Sequence, residues 1–120
     1  MKAPVRTWPV RLTAAAEADF RHIVRRSHQQ FGAIQARAYA QTLVRAIEAL
    51  TGGPEVIGVR RRDDIAKGLM SLHVAREGRK GRHFLIFRVR RHGKTDTVEV
   101  LRLLHDAMDL ARHLPPTAEG

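Results

Sequence analysis

The spacing of apolar residues changes period more than once along the chain. Val5 to Leu12 reads as a short strand, with Pro9 placing it at an edge or delaying its start. In LTAAAEADFRHIVRRSHQQFG the spacing widens: Phe20, Ile23, Val24, Ser27 and Phe31 recur every three or four residues and define one face of a helix over 14–31. Thr13 suits its N-cap, because a hydroxyl there accepts a bond from an unpaired first-turn N–H. Glu17 and Asp19 lie near the positive helix end, and Gly32 supplies a stop. A second helix over about 33–51 carries the stripe Tyr39, Leu43, Ala46, Ile47 and Leu50, closed by Gly52-Gly53-Pro54. So short a connection predicts an antiparallel helical hairpin offering both stripes to one core.

Residues 52–68 mix breakers with charge and read as a loop. Beyond them the period becomes that of strands: MSLHVAR, then HFLIFRVRR, then DTVEVLRLLH, joined by EGRKG and RHGKT turns into an antiparallel meander. The last two strands are apolar on both faces. Leu85, Phe87 and Val89 oppose Phe84 and Ile86; Val98, Val100 and Leu104 oppose Leu101 and Leu103. A helical hairpin covers only one face of such a sheet, so the terminal helix or a partner protein must cover the other. The closing DAMDLARHL is expected to be a short helix capped by Asp106 and ended by Pro115-Pro116.

Length confines all this to one α+β domain over residues 1–120, with 1–4 and 115–120 expected as flexible ends. No apolar run approaches the ~18 residues of a membrane span and no signal-peptide core is visible, so a cytoplasmic protein is expected. The absence of cysteine excludes disulfides, thiolate nucleophiles and Cys-based zinc sites. The formal charge of +10 is unevenly placed. Residues 60–94 hold twelve Lys/Arg against three acids, a net +9, which favours nucleic acid or an acidic protein as partner.

The seven histidines form no i,i+4 pair and no HExxH, although His73, His83 and His105 fall on three strands; no metal or other cofactor is expected. GRKG lacks the GK[ST] ending of a phosphate loop and reads as a hairpin turn. The basic segment leaves open acid–base cleavage of a phosphodiester, which needs a base, cations for the charge on phosphorus and an acid for the leaving oxygen. Arg76, Arg79, Lys80, Arg82, Arg88 and His105 are candidates for the cations and one acid. A second proton-transfer group is lacking: Tyr39 lies on the apolar stripe and reads as core, and His83 reads as a strand-edge residue.

Taken in order, VRLTAAAEADF, QARAYAQTLVRAIEAL with its following Gly-Pro, GLMSLHV, GRHFLIFRV and VLRLLHDAMDLARHL resemble the ParE branch of the RelE/ParE toxin superfamily over residues 9–114. The resemblance implies a β-α-α-β-β-β fold, with the hairpin on a small, mainly antiparallel sheet and a variable C-terminal helix. RelE-type members cut mRNA on the ribosome with basic residues and a C-terminal tyrosine or histidine. ParE-type members, as the resemblance implies, inhibit DNA gyrase without a recognised nuclease set. Met108, Asp109 or Leu110 stands where a RelE-like tyrosine is expected, which favours the ParE branch. Met70 in place of an arginine and the long, basic ARE-GRKG segment depart from the family pattern.

The implied partner is a cognate antitoxin whose acidic, amphipathic C-terminal segment neutralises the basic surface and covers the second apolar face at Phe84, Ile86, Leu101 and Leu103, in a hetero-oligomer. Arg79, Lys80, Arg82, Arg88 and Arg90 are the expected contacts to the target or to a polyanion. The enzymatic alternative, a ribosome-dependent mRNA endonuclease, would use His105, Arg82, Arg76 and His83. The remaining alternative is a non-toxic, basic nucleic-acid-binding domain.

Overall fold

The computed structural model describes residues 7–114. Strand β1 (Val10–Leu12) leads into helices α1 (Ala14–Phe31) and α2 (Ala33–Ala49), whose last turn tightens to 3-10 geometry at Leu50–Gly52. Strands β2 (Arg60–Arg61), β3 (Met70–His73), β4 (His83–His92) and β5 (Thr95–His105) follow, then a 3-10 turn at Leu110–His113. The sheet order is β1-β5-β4-β3-β2; β1 runs parallel to β5 and the other neighbours are antiparallel. No described helix is long and apolar enough to cross a membrane.

The helix ends form as their residues dictate. Thr13 has extended backbone and accepts the Ala16 N–H at 3.1 Å, while its own hydroxyl donates to the Leu101 carbonyl at 2.8 Å. One residue thus caps α1 and fixes it to β5. Gly32, at φ +91, ends α1 and begins α2 with no intervening loop, a backbone angle that disfavours any side chain. The hairpin then lays Ala16, Leu43, Ala46 and Leu50 on Leu72, Leu85, Phe87, Val98, Val100 and Leu103.

The parity of β5 differs from simple alternation. A register shift between Ile86 and Phe87 sets Phe87 against Val100 but Ile86 against Arg102, so Leu101 is an extra residue in the strand. The bulge turns Leu103 toward the helices, where it is buried, and Leu104 toward the second face. The expected grouping of Leu103 with Leu101, and its place in an antitoxin-facing surface, is thereby corrected. Ile86, Leu104 and Leu69 meet Leu110 and Leu114, with Ile65, Phe84 and Leu101 at the margin. The chain's own C-terminal segment covers the second face.

Four further expectations change. Strand β1 is shorter than Val5–Leu12; Val5 and Arg6, like the ends 1–4 and 115–120, lie outside the described residues. Strand β2 lies in the segment read as loop, because two residues are too few to display a period. The second helix leaves α geometry at Ala49, before the expected end at 51. Asp106 caps no helix: its carboxylate accepts from His73 Nε2 at 3.0 Å and Arg82 Nε at 3.1 Å, and the short stretch before Pro115 holds only a 3-10 turn.

Because β1 accompanies β5 only from Val98 to Val100, the edge of β5 would be open further on. Asp19 closes it. Its carboxylate accepts the Leu103 N–H at 2.9 Å and both forks of Arg102, Nε at 2.7 Å and Nη2 at 3.0 Å; Arg102 Nη1 donates onward to the His113 carbonyl at 3.0 Å. Asp19→Ala leaves a partly buried guanidinium and an edge N–H unpaired. It should lower stability by about 2–4 kcal/mol in chemical denaturation; a loss below about 1 kcal/mol would assign edge closure elsewhere.

A histidine cluster at the end of the sheet

Where β3 ends, β4 begins and β5 ends, three strands bring His73, His83 and His105 together, and α2 adds Tyr39. The rings of His83 and His105 stand edge to face with centroids 5.2 Å apart. The Tyr39 hydroxyl shares a 2.7 Å hydrogen bond with His83 Nδ1 and accepts the Arg82 N–H at 2.9 Å. Gly81 makes this approach possible: a Cβ there would stand 3.2 Å from the Tyr39 oxygen and 2.5 Å from Val74 Cγ2. Burial, the largest cause, raises the Tyr39 pKa, so the phenol keeps its proton.

The other two imidazoles are fixed by backbone. Ala75 N–H donates to His73 Nδ1 and Ala107 N–H to His105 Nδ1, each at 3.0 Å. In His73 and His105 Nδ1 is therefore an acceptor and the neutral tautomer carries its proton on Nε2, while His83 Nδ1 is engaged by Tyr39. His73 Nε2 is bonded to Asp106 at 3.0 Å. Burial and the nearby His105 push the His83 pKa down to about 4, so that ring is neutral at physiological pH. The His73 hydrogen bond, first, and then Arg82 hold the Asp106 carboxyl below its usual range. Beside the three rings lies the Arg82 guanidinium, bonded to Asp106 at 3.1 Å.

The residues expected in a nuclease site are only partly assembled. His83, His105 and Arg82 meet here, whereas Arg76 is spent on the Ile57 carbonyl at 3.2 Å and anchors the loop before β2. Tyr39, read as core, belongs to the cluster; a lone tyrosine on an apolar stripe still needs a partner for its hydroxyl, and that was the available signal. His73 and Asp106 are the other members that residue types alone did not single out as a pair. Among the described residues, no group of three His, Cys, Asp or Glu is placed to hold a metal.

The five expected polyanion contacts divide into two sets. Arg79, which donates to Thr42 Oγ1 at 3.1 Å, Lys80 and Arg82 lie toward the histidine end. Arg88, 3.1 Å from Glu99, and Arg90 lie farther along β4. Eight residue steps, running into and along β4, separate Arg82 from Arg90, about 26 Å at the usual rise. They are not one patch.

A family model described as "ParE toxin of type II toxin-antitoxin system, parDE" matches residues 10–110. Toxin ParE of Escherichia coli is 32% identical over 109 residues, covering 91% of this chain and 95% of the relative. Toxin ParE1 of Mycobacterium tuberculosis H37Rv is 32% identical over 103 residues, covering 86% and 94%. Among solved structures, one titled a chromosomal ParDE TA system from P. aeruginosa aligns with TM-score 0.67 at 19% identity over 83% of this chain and 97% of that one. A YoeB/ParE toxin from Agrobacterium tumefaciens aligns with TM-score 0.53 at 16% identity, over 81% and 96%. At these identities the solved structures establish a shared fold.

The histidine end makes a pH prediction. With its folded pKa pushed down to about 4 from 6.5, His83 binds a proton more readily in the unfolded chain. Its contribution is complete above pH 6.5 and is lost as pH falls toward 4. Denaturation curves from pH 7 to 4 should show stability declining through that window. His83→Gln, which cannot titrate, should flatten the decline, and an unchanged slope in that variant would contradict the assignment.

Proposed function

The chain belongs to the ParE toxin family of type II toxin–antitoxin systems, and from that premise we propose that it arrests replication by binding DNA gyrase, without catalytic residues of its own. The observation that carries the non-catalytic part is the state of the three imidazoles. Cleavage through a 2′-hydroxyl begins with removal of its proton, and here each Nδ1 is already engaged, His73 Nε2 is bonded to Asp106 and burial makes His83 a weak base. Asp106, stabilised as a carboxylate by His73 and Arg82, is a weak base. The cluster is suited to hold a partner's acceptor groups.

Neutralisation falls to a cognate antitoxin with an acidic segment. We place the contact of its apolar stripe on the second sheet face, at half-buried Phe84 and Leu101, beside a groove of about 410 Å³ lined by Ile65, Phe84 and Met108 but also by Asp64, Asp106 and Asp109, so its acidic residues fall outside the groove. Ile86 is the buried floor beneath the C-terminal segment, reached only if that segment moves; Leu103, turned to the opposite face, has no part. Arg79, Lys80 and Arg82, next to the cluster, are the proposed target contacts at this end of the sheet.

One observation favours a second reading, ribosome-dependent mRNA cleavage: Tyr39, His83, His105 and Arg82 converge at one place, as an acid–base site would require. The two readings part in one pair of assays. Purified protein added to gyrase and supercoiled plasmid should accumulate linear DNA after denaturation of the enzyme, and His83→Gln/His105→Gln, which keeps hydrogen-bonding side chains but cannot exchange a proton, should retain most of that effect. Absence of trapped cleavage complexes would overturn the gyrase reading. New transcript ends during expression, lost in a folded double variant, would establish the nuclease.

A further inference from the structure

The β4–β5 hairpin outruns the rest of the sheet. Pairing of β3 with β4 ends at Met70–Phe87, and pairing of β1 with β5 begins at Val10–Val98. From Arg90–Thr97 through Arg91–Asp96 to His92–Thr95, only two strands continue among the described residues, closed by the two-residue loop Gly93–Lys94. The ribbon is anchored at its base, where Val98 is buried in the main core beneath the Val89–Val98 pair. It therefore presents its tip in a fixed direction.

The surface of this tip is cationic. Arg90 is 51% exposed and stands 3.9 Å from Glu99, whose nearer partner is Arg88; Arg91 donates to the Gly93 carbonyl, and Lys94 is exposed in the loop. Strand alternation sets Arg90 and Arg91 on opposite faces with Lys94 at the end, and Asp96 is the one acid from Arg88 to Thr97. The large hydrophobic residues exposed among the described residues are Phe31, Ile34, Val44, Ile57 and Met108, all outside the ribbon. A protein interface lacks its usual apolar anchor here, whereas a phosphate surface needs none.

We propose that this ribbon is a duplex-DNA contact that enters the major groove and grips the phosphates on either side. Two strands about 5 Å apart, with side chains, make a body of about 10 Å, which fits a groove of about 12 Å; three residue pairs beyond the sheet reach about 10 Å, close to the groove depth of about 8.5 Å. Cations on both faces meet both phosphate walls. The deep, narrow major groove of duplex RNA does not admit such a ribbon. The proposal rests for its setting on the gyrase reading, where the target is an enzyme already holding DNA, and it adds a direct contact between toxin and duplex.

The test needs no gyrase. Anisotropy of a labelled DNA duplex of arbitrary sequence, titrated with the whole chain at several salt concentrations, should show binding that weakens as salt rises. Arg90→Gln/Arg91→Gln/Lys94→Gln should lower affinity at least about 10-fold and reduce the slope of log K against log salt by about 2–3. A charge-matched control, Arg25→Gln/Arg26→Gln/Arg37→Gln on the helical hairpin, should change both far less, with thermal melts showing both variants folded. No binding at low salt, equal losses in the two variants, or equal affinity for duplex RNA would each overturn the proposal. Protein that traps gyrase yet fails this test removes the ribbon and leaves the gyrase reading; DNA binding without gyrase trapping does the reverse.

Discussion

The carboxylate of Asp19 is the point on which the fold turns. It sits in the first turns of α1, yet its partners are the edge N–H of Leu103 and the guanidinium of Arg102, whose third bond reaches the carbonyl of His113. Helix, strand edge and C-terminal segment meet in one charge-assisted network. The bulge at Leu101 makes the network possible. By inserting one residue, it sends Leu103 into the core beneath the helices and Leu104 to the opposite face, where Leu110 and Leu114 cover it. Without the bulge, both apolar residues at the end of β5 would exchange faces.

The same end of the sheet carries the histidine cluster. Once β5 is fixed, His105 stands beside His83, and Asp106 is in reach of His73 and Arg82. Tyr39 then ties α2 to β4 through His83 and the Arg82 backbone. Together with the Ala75 and Ala107 N–H groups, these bonds engage Nδ1 of every ring. The polar convergence that looks most like an active site is thus also part of the scaffold. Among the described residues every buried side-chain nitrogen and oxygen has a hydrogen-bond partner.

Much of this is readable from residue order. Thr13, the three-to-four spacing from Phe20 to Phe31 and the stripe from Tyr39 to Leu50 place both helices, because caps and apolar periodicity act locally. The changes of apolar period give strand, two helices and three strands, the order that the family resemblance also implies; the two-residue β2 escapes both. What escaped depends on distant pairing. Leu103 faces the helices and Leu104 the second face, rather than the reverse, because β4 shifts register against β5, and no local pattern in VLRLLH records that shift. Asp106 has the chemistry of a helix cap, and only the fold reveals that His73 and Arg82 compete for it. Tyr39 lies on an apolar stripe while its hydroxyl reaches across to β4. Hydrophobic pattern reports the body of such a side chain and is silent about its tip.

The histidine end and the cationic ribbon lie at opposite ends of β4, and on the proposed reading both serve binding to the replication machinery. The most direct test is to follow DNA and protein synthesis separately in the first minutes after expression without antitoxin, by pulse labelling with thymidine and with methionine. A gyrase-directed binder should stop thymidine incorporation while methionine incorporation continues. Loss of methionine incorporation first, with DNA synthesis still running, would place the target on the ribosome and contradict the account.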